Sequence, residues 1–97
     1  MTEALDVRIQ GDSMWPTYHD GDLISLVVCD GNYIPSANDV VLVEHPLKSG
    51  VLMVKRISTV EASGRLFLTG DHPDPLASED SHNFGPVSPE LVKAYLR

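Results

Sequence analysis

Residues 51–60 read VLMVKRISTV and, after the short stretch EASG at 61–64, residues 65–70 read RLFLTG. Two runs rich in β-branched and apolar residues, joined by a few residues that include serine and glycine, predict a β-hairpin. Side chains of a strand alternate between its faces. Lys55 then shares a face with Met53 and Ile57, while Arg56 shares the other with Val54. The hairpin therefore places an ammonium group between two apolar side chains.

Outward from the hairpin the pattern is again of short strands. LDVRIQ at 5–10 alternates Leu5, Val7 and Ile9 with polar residues, as a half-buried strand does. HDGD at 19–22 reads as a turn, DLISLVV at 22–28 as a strand and CDGNYIPSAND at 29–39 as a loop. VVLVEH at 40–45 is a further strand, stopped by Pro46. From Asp71 to Pro86 the composition of Asp, Ser, Pro and His predicts a long loop, and such loops in small domains are more often functional than idle. The tail SPELVKAYLR at 88–97 fits two structures. Ser88, Pro89 and Glu90 open a helix, whereas Val92, Ala94 and Leu96 alternate, so a full helix and one helical turn followed by a strand stay equally open. The expected fold is a single domain over 1–97, mainly β with little helix, built as a small coiled antiparallel sheet or barrel.

Composition narrows the classes of partner. A chain of 97 residues buries one core, and a net charge of −7 leaves no basic stripe for nucleic acid or for an anionic membrane surface. The longest purely aliphatic run, LVV, is too short to cross a bilayer, and MTEALDVRIQ lacks the basic start and apolar middle of a signal peptide. Cys29 has no internal partner and adjoins an apolar run, so a buried thiol and a cytoplasmic location are expected.

The remaining irregular stretch is GDSMWPT at 11–17. Pro16 biases Trp15 away from helix, and Gly11 permits a positive φ, so Ser13 sits on a turn between strands. Such a serine either bonds its own backbone or acts as a nucleophile, and the second role needs a base. None of His19, His45, His72 and His82 shows a spacing to an aspartate that marks a triad, and the G-x-S-x-G elbow lacks its second glycine. Lys55 is the better candidate. Burial lowers a lysine pKa, and a fall of two or more units from about 10.4 costs on the order of 3 kcal/mol, within what burial supplies. Its competing role is a stem that covers the sheet edge while the head reaches water.

Together these segments resemble the signal peptidase I family of serine–lysine peptidases. GDSMWPT resembles its nucleophile box, S-M-x-P-T; MVKRI resembles its general-base box; and GDHPDPLASEDSHNFG resembles its closing box, G-D-N followed by S-x-D-S-R-x-x-G. The resemblance implies Ser13 as nucleophile, Lys55 as general base and Ser78 as the residue that orients the lysine. It implies that Asp80 and Ser81 hold the closing loop, and that the Ser13 amide donates to the oxyanion. Met14 or Trp15 would line a subsite for an extended substrate.

The chain departs from the family at several points. Gly11 stands where some members carry a second oxyanion-donating serine, His72 replaces the Asn of G-D-N, and His82 replaces the arginine expected to pair with Asp80. A metal site on His72, Asp74, Asp80 and His82 is a minor alternative; no metal or cofactor is expected. The membrane anchor of the membrane-bound members is not expected here, and the compact form is most similar to the soluble proteases that mature nickel-type superoxide dismutase by removing a leader. The expected partner is therefore a protein precursor, with neither nucleic acid nor membrane. Two other functions compete. One is a self-cleaving repressor-type domain, which usually follows a DNA-binding segment, and none is expected before Leu5. The other is a non-catalytic acidic module that binds a protein partner. The acidic loop residues Asp71, Asp74, Glu79 and Asp80 read as a solvated loop or as an attractor for a basic leader.

Overall fold

In the computed structural model, which describes residues 3–97, six strands are formed: β1 (Ala4–Arg8), β2 (Leu23–Val28), β3 (Val40–Glu44), β4 (Leu52–Val60), β5 (Leu66–Thr69) and β6 (Val92–Tyr95). They make one antiparallel sheet in the order β1-β2-β6-β3-β4-β5. The β4–β5 hairpin is the one expected from the 51–70 pattern. Its turn is closed by Glu61 N–H to the Arg65 carbonyl and by Gly64 N–H to the Glu61 carbonyl, both 2.8 Å.

Strand β3 lies at the centre and is buried on both faces, so its residues divide between two cores. Val41 and Val43 join Ile57, Leu66, Leu68, Val87 and Val92, while Leu42 joins Ile9, Ile24, Leu26 and Ala94. Val92 and Ala94 share a strand yet serve different cores, because a register shift at Leu42/Val43 interrupts the β3–β6 ladder. Each fully buried Leu or Ile contributes about 1.5–3 kcal/mol, so these two clusters carry the stability of the sheet.

Two expectations need revision. The 71–86 segment is not uniformly loop: it holds a 3₁₀ turn at Pro75–Ala77 and a one-turn helix α1 (Ser81–Phe84). The cause is capping. Asp80 Oδ1 accepts from His82 N–H at 2.9 Å, and Asn83 Oδ1 accepts from Asp80 N–H at 3.0 Å, a reciprocal pair that closes one turn. Cys29 is half-buried rather than buried; it packs on the first core, and burial, with Asp30 adding to it, raises its thiol pKa. The tail takes the second of its two open forms. A 3₁₀ turn at Pro89–Leu91, capped by Ser88, leads into β6, because Val92 and Ala94 bury deeply between β2 and β3. Packing of that strand outweighs the helix-start signal.

Candidate active site

The serine turn at Ser13 and the loop at Ser78 meet at Gly70. A β-carbon built on it would lie 2.5 Å from the Ser13 carbonyl oxygen and 2.6 Å from Ser78 Oγ, so the close approach excludes every other residue. His72 N–H donates to that same Ser13 carbonyl at 3.0 Å. The 11–17 turn is thereby fastened to the chain leaving β5. Gly11 takes the positive φ that its position suggested, 81°, and its N–H donates to Asp20 Oδ1 at 2.7 Å. The Ser13 N–H, by contrast, has no hydrogen-bond partner among the described residues.

Lys55 occupies the face assigned to it. Its ladder partner is Val41, its neighbours Met53 and Ile57 belong to the first core, and Val54 packs against the second. Only 4% of its surface is exposed. Burial pulls the amine below the ordinary lysine pKa, while Asp80 and Glu79 pull the other way. Lys55 Nζ donates to Ser78 Oγ at 3.2 Å; that hydroxyl, not Ser13, is its hydrogen-bond partner here. Lys55 and Ser13 line one cleft of about 490 Å³. Leu5, Val7, Met14 and Met53 also line it; Val7 packs on the second core as well, whereas Leu5, at the far end of the same face of β1, stays exposed.

The other expected site residues divide. Met14 is buried in the cleft wall, whereas Trp15 is outside it, 41% exposed, with its ring centroid 5.5 Å from that of His72. Asp80 caps α1 and also meets His82 Nδ1 at 2.9 Å, so the histidine occupies the arginine's partner position. Ser81 Oγ accepts from Leu68 N–H at 2.8 Å and ties α1 to β5. His72 Nδ1 accepts from Asp74 N–H at 3.0 Å. Among the described residues, no three His, Cys, Asp or Glu side chains gather as a metal site.

One network was not foreseen. Arg56, on the face of β4 opposite Lys55, donates from Nε and Nη2 to the two oxygens of Asp71 at 2.8 and 2.7 Å. Thr17 Oγ1 donates to Asp71 Oδ2 at 2.6 Å. Asp71 thus clasps the serine turn, the lysine strand and the closing loop together. Its carboxyl is held below the usual carboxylate range, first by the Arg56 hydrogen bonds and then, against burial, by Thr17. A depressed carboxylate contributes stability that is present above its unfolded pKa, about 3.9, and lost as pH falls through the lower folded value. Asp71→Asn is therefore expected to cost about 1–3 kcal/mol at neutral pH. In urea unfolding series at successive pH values, the gap to wild type should close under strong acid; a gap unchanged with pH would show that the charge is not the source.

Among the described residues no helix is long and apolar enough to cross a membrane. No curated protein matches the chain. A family model described as Peptidase S24-like matches residues 2–80, a span that takes in Ser13, Lys55 and Ser78 and the β4–β5 hairpin. That match supports a serine peptidase or a LexA-like self-cleaving domain, the broader group around the resemblance drawn from the three boxes. By its sheet and by that match, the chain belongs to the Peptidase S24-like family.

Proposed function

We propose that this chain is a soluble serine endopeptidase that uses Ser13 and Lys55 as a dyad. The observation that carries the reading is a lysine amine, desolvated by the first core, opening into the cleft that Ser13 also lines. Neutral Lys55 takes the Ser13 proton, and Oγ attacks the scissile carbonyl to form a tetrahedral oxyanion. The unpartnered Ser13 amide donates to that oxyanion, an interaction worth several kcal/mol when preorganised. Lys55 then protonates the departing amine. Water, giving a proton to Lys55, adds to the acyl-enzyme and releases the new carboxylate with Ser13 reprotonated. This sequence needs no metal and no cofactor.

The cleft suits an extended peptide. β1 is an edge strand, and β5 pairs β4 only from Arg56 onward, so the Leu52–Lys55 backbone borders the cleft without that neighbour. A substrate strand can add there by main-chain pairing, its alternate side chains on Leu5, Val7 and Met53. Because burial depresses the lysine pKa, kcat/KM should rise with pH along a limb lying below the ordinary lysine range near 10.4. A limb at that ordinary value, or none, would contradict a desolvated base.

The substrate follows from the sequence resemblance: the N-terminal leader of a nickel-type superoxide dismutase precursor, cleaved in the cytoplasm. Incubating the purified chain with that precursor and reading the new N-terminus by mass spectrometry tests it. Cleavage at one bond, absent with Ser13→Ala, supports it; an intact precursor refutes it. The family match favours a second reading, a self-cleaving LexA-like domain. Self-cleavage would be first order and independent of protein concentration, with no turnover of added peptide.

A further inference from the structure

The dyad leaves one buried titratable side chain without a role. His45, 4% exposed, follows β3, and its N–H donates to the Val51 carbonyl at 2.8 Å, which sets the ring at the root of the 46–50 turn. Its two nitrogens have different partners. Nδ1 accepts from Leu47 N–H at 3.0 Å, so Nε2 carries the proton, and Nε2 donates to Glu79 Oε1. The Phe84 ring of α1 packs on the imidazole, centroids 5.0 Å apart. Glu79 directly follows Ser78, the hydrogen-bond partner of Lys55.

We infer that His45 is a positioning residue for Lys55, acting through Glu79 to hold the Ser78 hydroxyl against the lysine amine. Ser78 is flanked by two fixed points, the close contact with Gly70 and the cap that Asp80 makes on α1. Between them, Glu79 is 48% exposed, so packing alone does not fix it. What fixes it is His45, with Lys48 Nζ at 3.4 Å on the solvent side. The charges facing Lys55 are Asp80 and Glu79; Arg56 and Asp71 engage each other on the opposite face of β4. The His45 hydrogen bond is the largest cause holding Glu79 below the usual carboxylate range, so its negative charge persists beside the lysine. The pair has two separable effects: it places Ser78, and it keeps an anion near the base. The effect on rate rests on the dyad reading; the Lys55–Ser78 contact does not.

The test is an NMR titration of Lys55 in protein carrying 13C at the lysine ε-carbon, run beside the pH profile of peptide hydrolysis. The proteins compared are wild type, Glu79→Gln, Glu79→Ala, His45→Ala and His45→Gln. Glu79→Gln keeps an acceptor for His45 and removes the charge, so the Lys55 midpoint should fall. Glu79→Ala also frees Ser78, so the midpoint should fall further and kcat drop by roughly tenfold or more. His45→Ala should lower kcat comparably, and His45→Gln, which offers an N–H near the Nε2 position, should recover part of it. If His45→Ala folds poorly, the Glu79 variants, at an exposed side chain, carry the same readout. A Lys55 midpoint identical in all five proteins overturns the inference, active or not. Midpoints that move as expected in proteins that hydrolyse nothing, wild type included, support the positioning and overturn the peptidase reading instead.

Discussion

Lys55→Met is expected to lower kcat/KM for peptide hydrolysis by about four orders of magnitude while leaving folding stability equal to wild type or slightly higher. The two halves of this result have one origin. The amine is buried beside Met53, Ile57 and Val41, so ionising it is unfavourable, and methionine fills the space without that cost. Without a base, however, the Ser13 hydroxyl keeps its proton and cannot attack. Ser13→Ala should fall as far. Because the two residues act as a unit, the double variant should be no slower than either single one. Steady-state kinetics and urea unfolding of the three variants check this directly. A Lys55→Met protein that hydrolyses peptide at the wild-type rate would remove the dyad.

The second large effect belongs to a residue with no side chain. Gly70→Ala places a methyl group 2.5 Å from the Ser13 carbonyl and 2.6 Å from Ser78 Oγ. Neither neighbour yields easily, since the Ser13 carbonyl is backbone held by His72 N–H and Ser78 is fastened on both sides. The turn and the closing loop must separate, carrying Ser13 and Ser78 away from each other. Stability should fall by about 1–3 kcal/mol. The loss of kcat should be larger than that implies, roughly 100-fold, because displacement of about 1 Å is felt directly in the attack geometry. Folded Gly70→Ala retaining full kcat would show that the approach of these two loops does not matter to the chemistry.

How much of this was legible in the sequence depends on the range of each interaction. The hairpin and the face carrying Lys55 follow from a period of two residues inside one strand, and the sheet reproduces both. The turn at Gly11 was legible for the same local reason. Helix α1 could have been read from Asp80 and Asn83, three apart, but a run of Asp, Ser and Pro reads as loop unless the cap is sought. The tail could not be decided locally, because what draws Val92 and Ala94 into a strand is the room between β2 and β3. The Thr17–Asp71–Arg56 clasp joins residues as far as 54 positions apart, and His45 reaches Glu79 across 34, distances at which spacing carries no signal. The three short boxes pointed to signal peptidase I, whereas the family comparison supports the broader S24-like group. Boxes of a few residues describe a catalytic arrangement that relatives share, and they discriminate poorly among them.

The central claim is that a desolvated Lys55 makes the Ser13 hydroxyl nucleophilic. It is tested most directly by treating the protein with a fluorophosphonate probe and locating the adduct by peptide mass spectrometry. The account predicts a single adduct on the peptide containing Ser13, formed faster as pH rises and absent in Lys55→Met. An unlabelled Ser13, or labelling of equal rate in Lys55→Met, would contradict it.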